Sequence, residues 1–143
     1  FTAHLIKLRK YFSAFSLDQY INDAQKPTDA TIQWYNPAGQ LMQADHWAEY
    51  RVKTLGNLIT HYDGENTPPQ RLLIIYHADR DAANFILPNL EDVQQWEILF
   101  DTGISNGIPE ADNCFVDNRL RLFSCSTVML LGNNTGCQTI LSH

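Results

Sequence analysis

Ile32-Gln33-Trp34-Tyr35-Asn36-Pro37-Ala38-Gly39-Gln40-Leu41-Met42-Gln43-Ala44-Asp45-His46-Trp47 is the stretch around which the 143-residue chain is organised. Pro37 fixes its own φ and Gly39 permits a positive one, so Asn36–Gly39 reverses the chain. Ile32 and Trp34 lie on one face of a short extended run before the turn, and Leu41, Met42 and Trp47 return apolar bulk after it. The stretch therefore reads as an aromatic clasp, a turn that folds large side chains back on one another.

Working outward, Leu72-Leu73-Ile74-Ile75-Tyr76 is a continuous apolar run between turn signals, expected in the middle of a core. Further strands are expected at Leu55–Tyr62, Asn84–Leu87, Trp96–Phe100, Leu120–Leu122 and Thr127–Leu131. In Trp96–Phe100, alternation puts Trp96, Ile98 and Phe100 on one side and Glu97 and Leu99 on the other. Asp63–Gln70 and Asp101–Asn113 read as loops, as does polar Asp18–Asp29, and Gln43–Tyr50 has room for one or two helical turns. Upstream, Leu5, Leu8, Phe12 and Phe15 recur at helical spacing and predict an amphipathic helix from Thr2 to about Ala14. Short strands with Gly/Pro turns and no intervening helices specify a mainly β fold, an antiparallel β-sandwich preceded by one α-helix.

Composition narrows the function. The net charge of −6 and only ten Lys and Arg argue against a nucleic-acid partner. No apolar run is long enough to span a membrane, and neither a membrane span nor a signal peptide is expected in this stretch. Cys114, Cys125 and Cys137 make an odd count without C-x-x-C, so free thiols in a reducing cytoplasm are expected, with neither a disulfide framework nor a zinc site. His4, His46, His61, His77 and His143 form no metal-binding spacing, and no cofactor motif occurs. Asp101-Thr102-Gly103 after an apolar strand matches the loop of a dimeric aspartic protease, in which paired carboxylates share a proton. Only 26 residues separate Gly103 from Leu130, however, too few for a substrate-covering flap and its strands. The alternative is that Asp101 and Thr102 cap a strand end. Trp34, Trp47 and Trp96 are candidate carbohydrate-binding residues, because sugar faces stack on exposed aromatic rings; the competing reading places all three in the core. Glu49, Glu65, Glu91, Glu97 and Glu110 fall in loop or surface contexts where carboxylates are solvated.

Trp34, Asn36, Pro37, Gly39, Met42, Asp45 and Trp47 together resemble the W-x-N-P-x-G-x-x-M…D-W signature near the C-terminus of isoamylase-type glycogen debranching enzymes, in the α-amylase superfamily. His46 is a departure, standing between an Asp and a Trp that the family has adjacent. L-x-x-L-R at Leu5–Arg9 looks like the last helix of the family's (β/α)8 barrel, though Phe12-Ser13-Ala14-Phe15 lacks the proline that usually follows. Leu72–Ala78, Phe85–Pro88 and Trp96–Thr102 match later segments in the same order, with His77 in place of an expected Asn.

The resemblance implies residues 1–17 as the remnant of the barrel's last helix and 18–143 as the C-terminal β-sandwich. It implies a non-catalytic role supporting the barrel in the same polypeptide, in a parent that hydrolyses α-1,6 linkages of glycogen or a related α-glucan. Catalytic carboxylates of that superfamily stand on barrel strands, so no catalytic residue is carried over. A helix without its barrel would expose its apolar stripe. The alternatives are a stand-alone carbohydrate-binding module and an Asp101-dependent protease.

Overall fold

The computed structural model describes residues 1–17, 30–64, 66–110, 114–115 and 117–134. The expected Asp18–Asp29 loop lies outside them. Helix α1 spans Thr2–Tyr11 and is followed by a 3-10 turn at Ser13–Phe15. Then come β1 (Ala30–Tyr35), the short helix α2 (Ala44–Ala48), β2 (Thr54–His61), β3 (Gln70–His77), β4 (Ala83–Ile86), β5 (Gln95–Asp101), β6 (Cys114–Phe115), β7 (Arg119–Leu122) and β8 (Ser126–Asn133). All strand pairings among the described residues are antiparallel. Six strands form a sheet in the order β1-β2-β3-β8-β5-β6, and β4 pairs with β7 in a second sheet.

The two sheets sandwich one core: Leu58, Leu73, Ile75, Trp96, Val128 and Leu130 from the large sheet meet Phe85, Leu120 and Leu122 from the small one and Leu87 just after β4. The opposite face of the large sheet carries a second core, where Leu8 and Phe12 of the helical segment sit on Ile59, Leu72, Leu99, Met129 and Leu131. Successive residues of β3 thus feed opposite cores, which explains its unbroken apolar run: a strand buried on both faces has no polar side. Arg119–Leu122 alternates exposed Arg with buried Leu because the outer face of β7 meets water.

Several expectations are corrected. The helix stops at Tyr11 rather than Ala14, since Phe12 turns extended (φ −94°, ψ 107°) and drives its ring fully into the second core. The apolar stripe is not left bare: Leu8 and Phe12 are buried, while Ile6 and Tyr11 on other faces of the helix stay about half exposed (50% and 54%). The helix is also tied to β5, where His4 Nε2 donates to the Leu99 carbonyl (2.7 Å) and the Phe1 ring meets Phe100 edge to face. In β5 a bulge between Ile98 and Phe100 breaks the alternation, so Phe100 joins Leu99 on the helix side instead of sharing Trp96's side. Glu97 is not solvated but buried. Cys114 is disulfide-bonded, on a two-residue strand that pairs with β5 at Glu97, while Cys125 is a free exposed thiol. Spacing along the chain holds no trace of that strand, and an odd cysteine count is compatible with one bridge.

Candidate functional site

The clasp forms as the turn chemistry dictates. Gly39 takes φ +76° and donates its N–H to the Asn36 carbonyl, and Asn36 Oδ1 accepts from the amides of Ala38 and Gln40. Met42 N–H bonds back to the Trp34 carbonyl, so the returning chain runs alongside the end of β1. His46, the residue that departs from the family signature, acts locally: its Nδ1 accepts from the Gln43 backbone and closes a capping box that starts α2. That helix carries Trp47 up to Trp34, ring centroids 5.7 Å apart and planes at 79°.

Between this pair and the sheet edge opens a cleft of about 610 Å³, with Trp34 and Trp47 at one side and Gln33, Gln43, Tyr62 and Arg71 around it. Trp47 is half exposed and Trp34 partly so. Arg71 brings little free charge. Its Nε and Nη2 donate to the two carboxylate oxygens of Asp92 (2.9 and 3.2 Å) and its Nη1 to Thr60 Oγ1 (2.7 Å). Trp96 belongs elsewhere: it is 5% exposed in the intersheet core, and an indole so enclosed presents no face to a sugar. Tyr35 goes into the core and Tyr50 out to solvent beneath Arg51, while Tyr62 lines the cleft. Arg71 reaches it from a central strand, and nothing in the local sequence marks it.

A second groove, about 400 Å³ and almost wholly apolar, runs beside α1 between Leu5, Phe15, Ile74, Phe100 and Met129, with Arg9 on its lining. A third cleft contains Lys53, Thr54, His77, Asp79 and Asp81. His77 is satisfied there: Nε2 donates to the Asp81 carbonyl (2.7 Å), so in the neutral ring Nδ1 accepts from the Thr54 hydroxyl (2.6 Å). The hydrogen bond from Lys53 holds the Asp79 carboxyl below its usual range, aided by backbone N–H groups, which unsuits it as a proton donor.

Asp101 ends β5 and is buried, with Oδ1 accepting the Gly103 N–H at 2.7 Å. Burial pushes its carboxyl above the usual value, and the Gly103 bond pulls partly back. Thr102 pairs with Thr127, its Oγ1 accepting the Thr127 N–H and its N–H donating to the Thr127 carbonyl. The D-T-G segment thus caps a strand end and ties β5 to β8. Glu97 is likewise pushed up by burial. The Asn133 side chain opposes this, but Glu97 Oε2 and Asn133 Nδ2 make no hydrogen bond of good geometry. Asn133, which opens an Asn-Asn-Thr match to the N-glycosylation pattern, ends β8 with that same Nδ2 buried, out of reach of a glycosylating enzyme in the folded domain. No group of three His, Cys, Asp or Glu able to hold a metal occurs among the described residues.

The fold is a two-sheet antiparallel sandwich with a helix on the outer face of the large sheet and a Trp-lined edge. A family model described as isoamylase, C-terminal, matches residues 31–120, from β1 into β7. The chain belongs to that family, as a non-catalytic domain of an isoamylase-type glycosidase, and membership implies attachment to a catalytic barrel in the same polypeptide. No curated protein matches the chain. No helix among the described residues is long and apolar enough to cross a membrane.

Proposed function

We propose that this domain buttresses the catalytic barrel of a debranching hydrolase, one that cleaves α-1,6 linkages in glycogen or a related α-glucan with retention. Residues 1–17 would be the end of the barrel's last helix, and residues 18–143 the sandwich that holds it. The observation that carries the reading is the seat of α1: one side is locked on the sheet by Leu8 and Phe12, while Ile6, Tyr11 and the adjoining apolar groove remain open. A helix so placed joins two bodies, one side to each, and the open groove offers the second body an apolar socket. Catalysis would reside on the barrel. The two buried carboxyls, Glu97 and Asp101, line none of the three clefts described above. The disulfide at Cys114 favours an oxidising compartment over the cytoplasm.

The test substitutes Ile6→Asp in the polypeptide that carries this domain and follows release of linear chains from glycogen. The expected result is unchanged melting of the 143-residue chain, no hydrolysis by that chain alone, and faster thermal inactivation of the whole enzyme. Hydrolysis by the chain alone, or an inactivation rate unaffected by Ile6→Asp, would contradict the reading.

A further inference from the structure

We infer that the cleft at the Trp34–Trp47 clasp is a binding subsite for a neutral α-glucan chain. Three features select that ligand. The aromatic wall is partly solvent-exposed, with Trp47 at 53% and the large face of an indole available at little cost in side-chain freedom. The polar groups around it suit a polyol's hydroxyls: the Gln33 amide can both donate and accept, and the Gln43 amide, whose oxygen is taken by the α2 capping box, can still donate. The cationic group in the lining, Arg71, is already spent on Asp92 and Thr60, so the cleft has no free charge to hold a phosphate or an acidic peptide. The volume, about 610 Å³, is within the range of small-ligand sites and accommodates a few glucosyl units.

Ring geometry narrows the linkage. The indole planes cross at 79°, so they cannot together make the flat platform on which a straight β-1,4 ribbon lies. Crossed planes suit a chain that turns from one residue to the next, as an α-1,4 glucan does. The clasp builds this arrangement in advance: the Asn36–Gln40 bonds and the α2 capping box hold both rings before any ligand arrives, which lowers the ordering cost of binding. The choice of sugar rests partly on the proposed α-glucan substrate of the parent. A cleft that binds no sugar would overturn the subsite and leave the parent's reaction, read by its own assay, untouched.

The experiment titrates the 143-residue chain with maltohexaose and with cellohexaose, following tryptophan emission and calorimetric heat. A saturable maltohexaose response in the millimolar range is expected, with cellohexaose at least about tenfold weaker. Trp47→Ala should retain the parental melting curve, since the ring is half exposed, and weaken maltohexaose binding by about tenfold or more. Gln33→Ala, remote from the α2 cap, should weaken it too. No saturable response in the parental chain, equal binding by a folded Trp47→Ala, or equal affinity for cellohexaose would each overturn the inference.

Discussion

Glu97 is a buried carboxylic acid without a full set of partners. Its carboxyl is 4% exposed, and its Oε2 finds no partner. Desolvation therefore favours the protonated form, as it does for Asp101. A carboxyl whose folded pKa is raised contributes stability that is complete below the unfolded pKa and is lost as pH climbs through the folded one. The melting temperature of the chain should therefore drop as pH rises above the ordinary carboxylate range, about 4, and both groups are asked to ionise. Glu97→Gln keeps the shape and removes the charge, so its advantage over the parent should be small in acid and largest at neutral pH. A melting temperature for Glu97→Gln at or below the parent's at neutral pH would contradict this. Asp79 runs the other way, held down by Lys53, but that pair is exposed and adds little. None of this was visible beforehand, because Glu97 in W-E-I-L-F reads as the polar member of an alternating strand. Its burial comes from packing against the helix side of the sheet, which is a tertiary fact. His77, in contrast, ends a continuous apolar run, a sequence context that fits the buried, hydrogen-bonded histidine found there.

At the scale of elements, the clasp was legible because its chemistry is local. Pro37, Gly39 and the Asn36 side chain set the turn by themselves, and Trp34 and Trp47 meet as the return of apolar bulk suggested. The helix was legible in its stripe and not in its end, for Phe12 continues the helical period yet leaves the helix to reach the core. The β5 bulge and β6 left no period to read: a bulge is one irregular residue, and a two-residue strand is too short to alternate. Gly56 shows how one element constrains another. A methyl group there would stand 2.8 Å from the tip of the Phe85 ring and 3.4 Å from Leu73, in the middle of the intersheet core. Gly56→Ala should cost about 1–3 kcal/mol of stability through overpacking. Denaturant unfolding checks it. A neutral effect would mean that β4 can slide away from β2, contrary to a packed sandwich.

For the whole molecule, one face of the six-stranded sheet packs against the small sheet, and the other is only partly closed by α1. The partly closed side is where a larger body would sit, and the clasp lies at that sheet's β1 edge. The sandwich class followed from short strands and turn signals, and the family from the order of the motifs. The helix's seat on the sheet did not follow, because contacts between residues nearly a hundred positions apart, such as His4 with Leu99, leave no local pattern. The central claim is that the α1 side of the sheet is the seat of the catalytic domain. Hydrogen–deuterium exchange tests it most directly, comparing the 143-residue chain with the same residues in the intact enzyme. The account predicts added protection in the intact enzyme at α1 and in the strands around Ile74, Phe100 and Met129, with β4 and β7 unchanged. Protection gained at β4 and β7 instead, or at neither side, would contradict it.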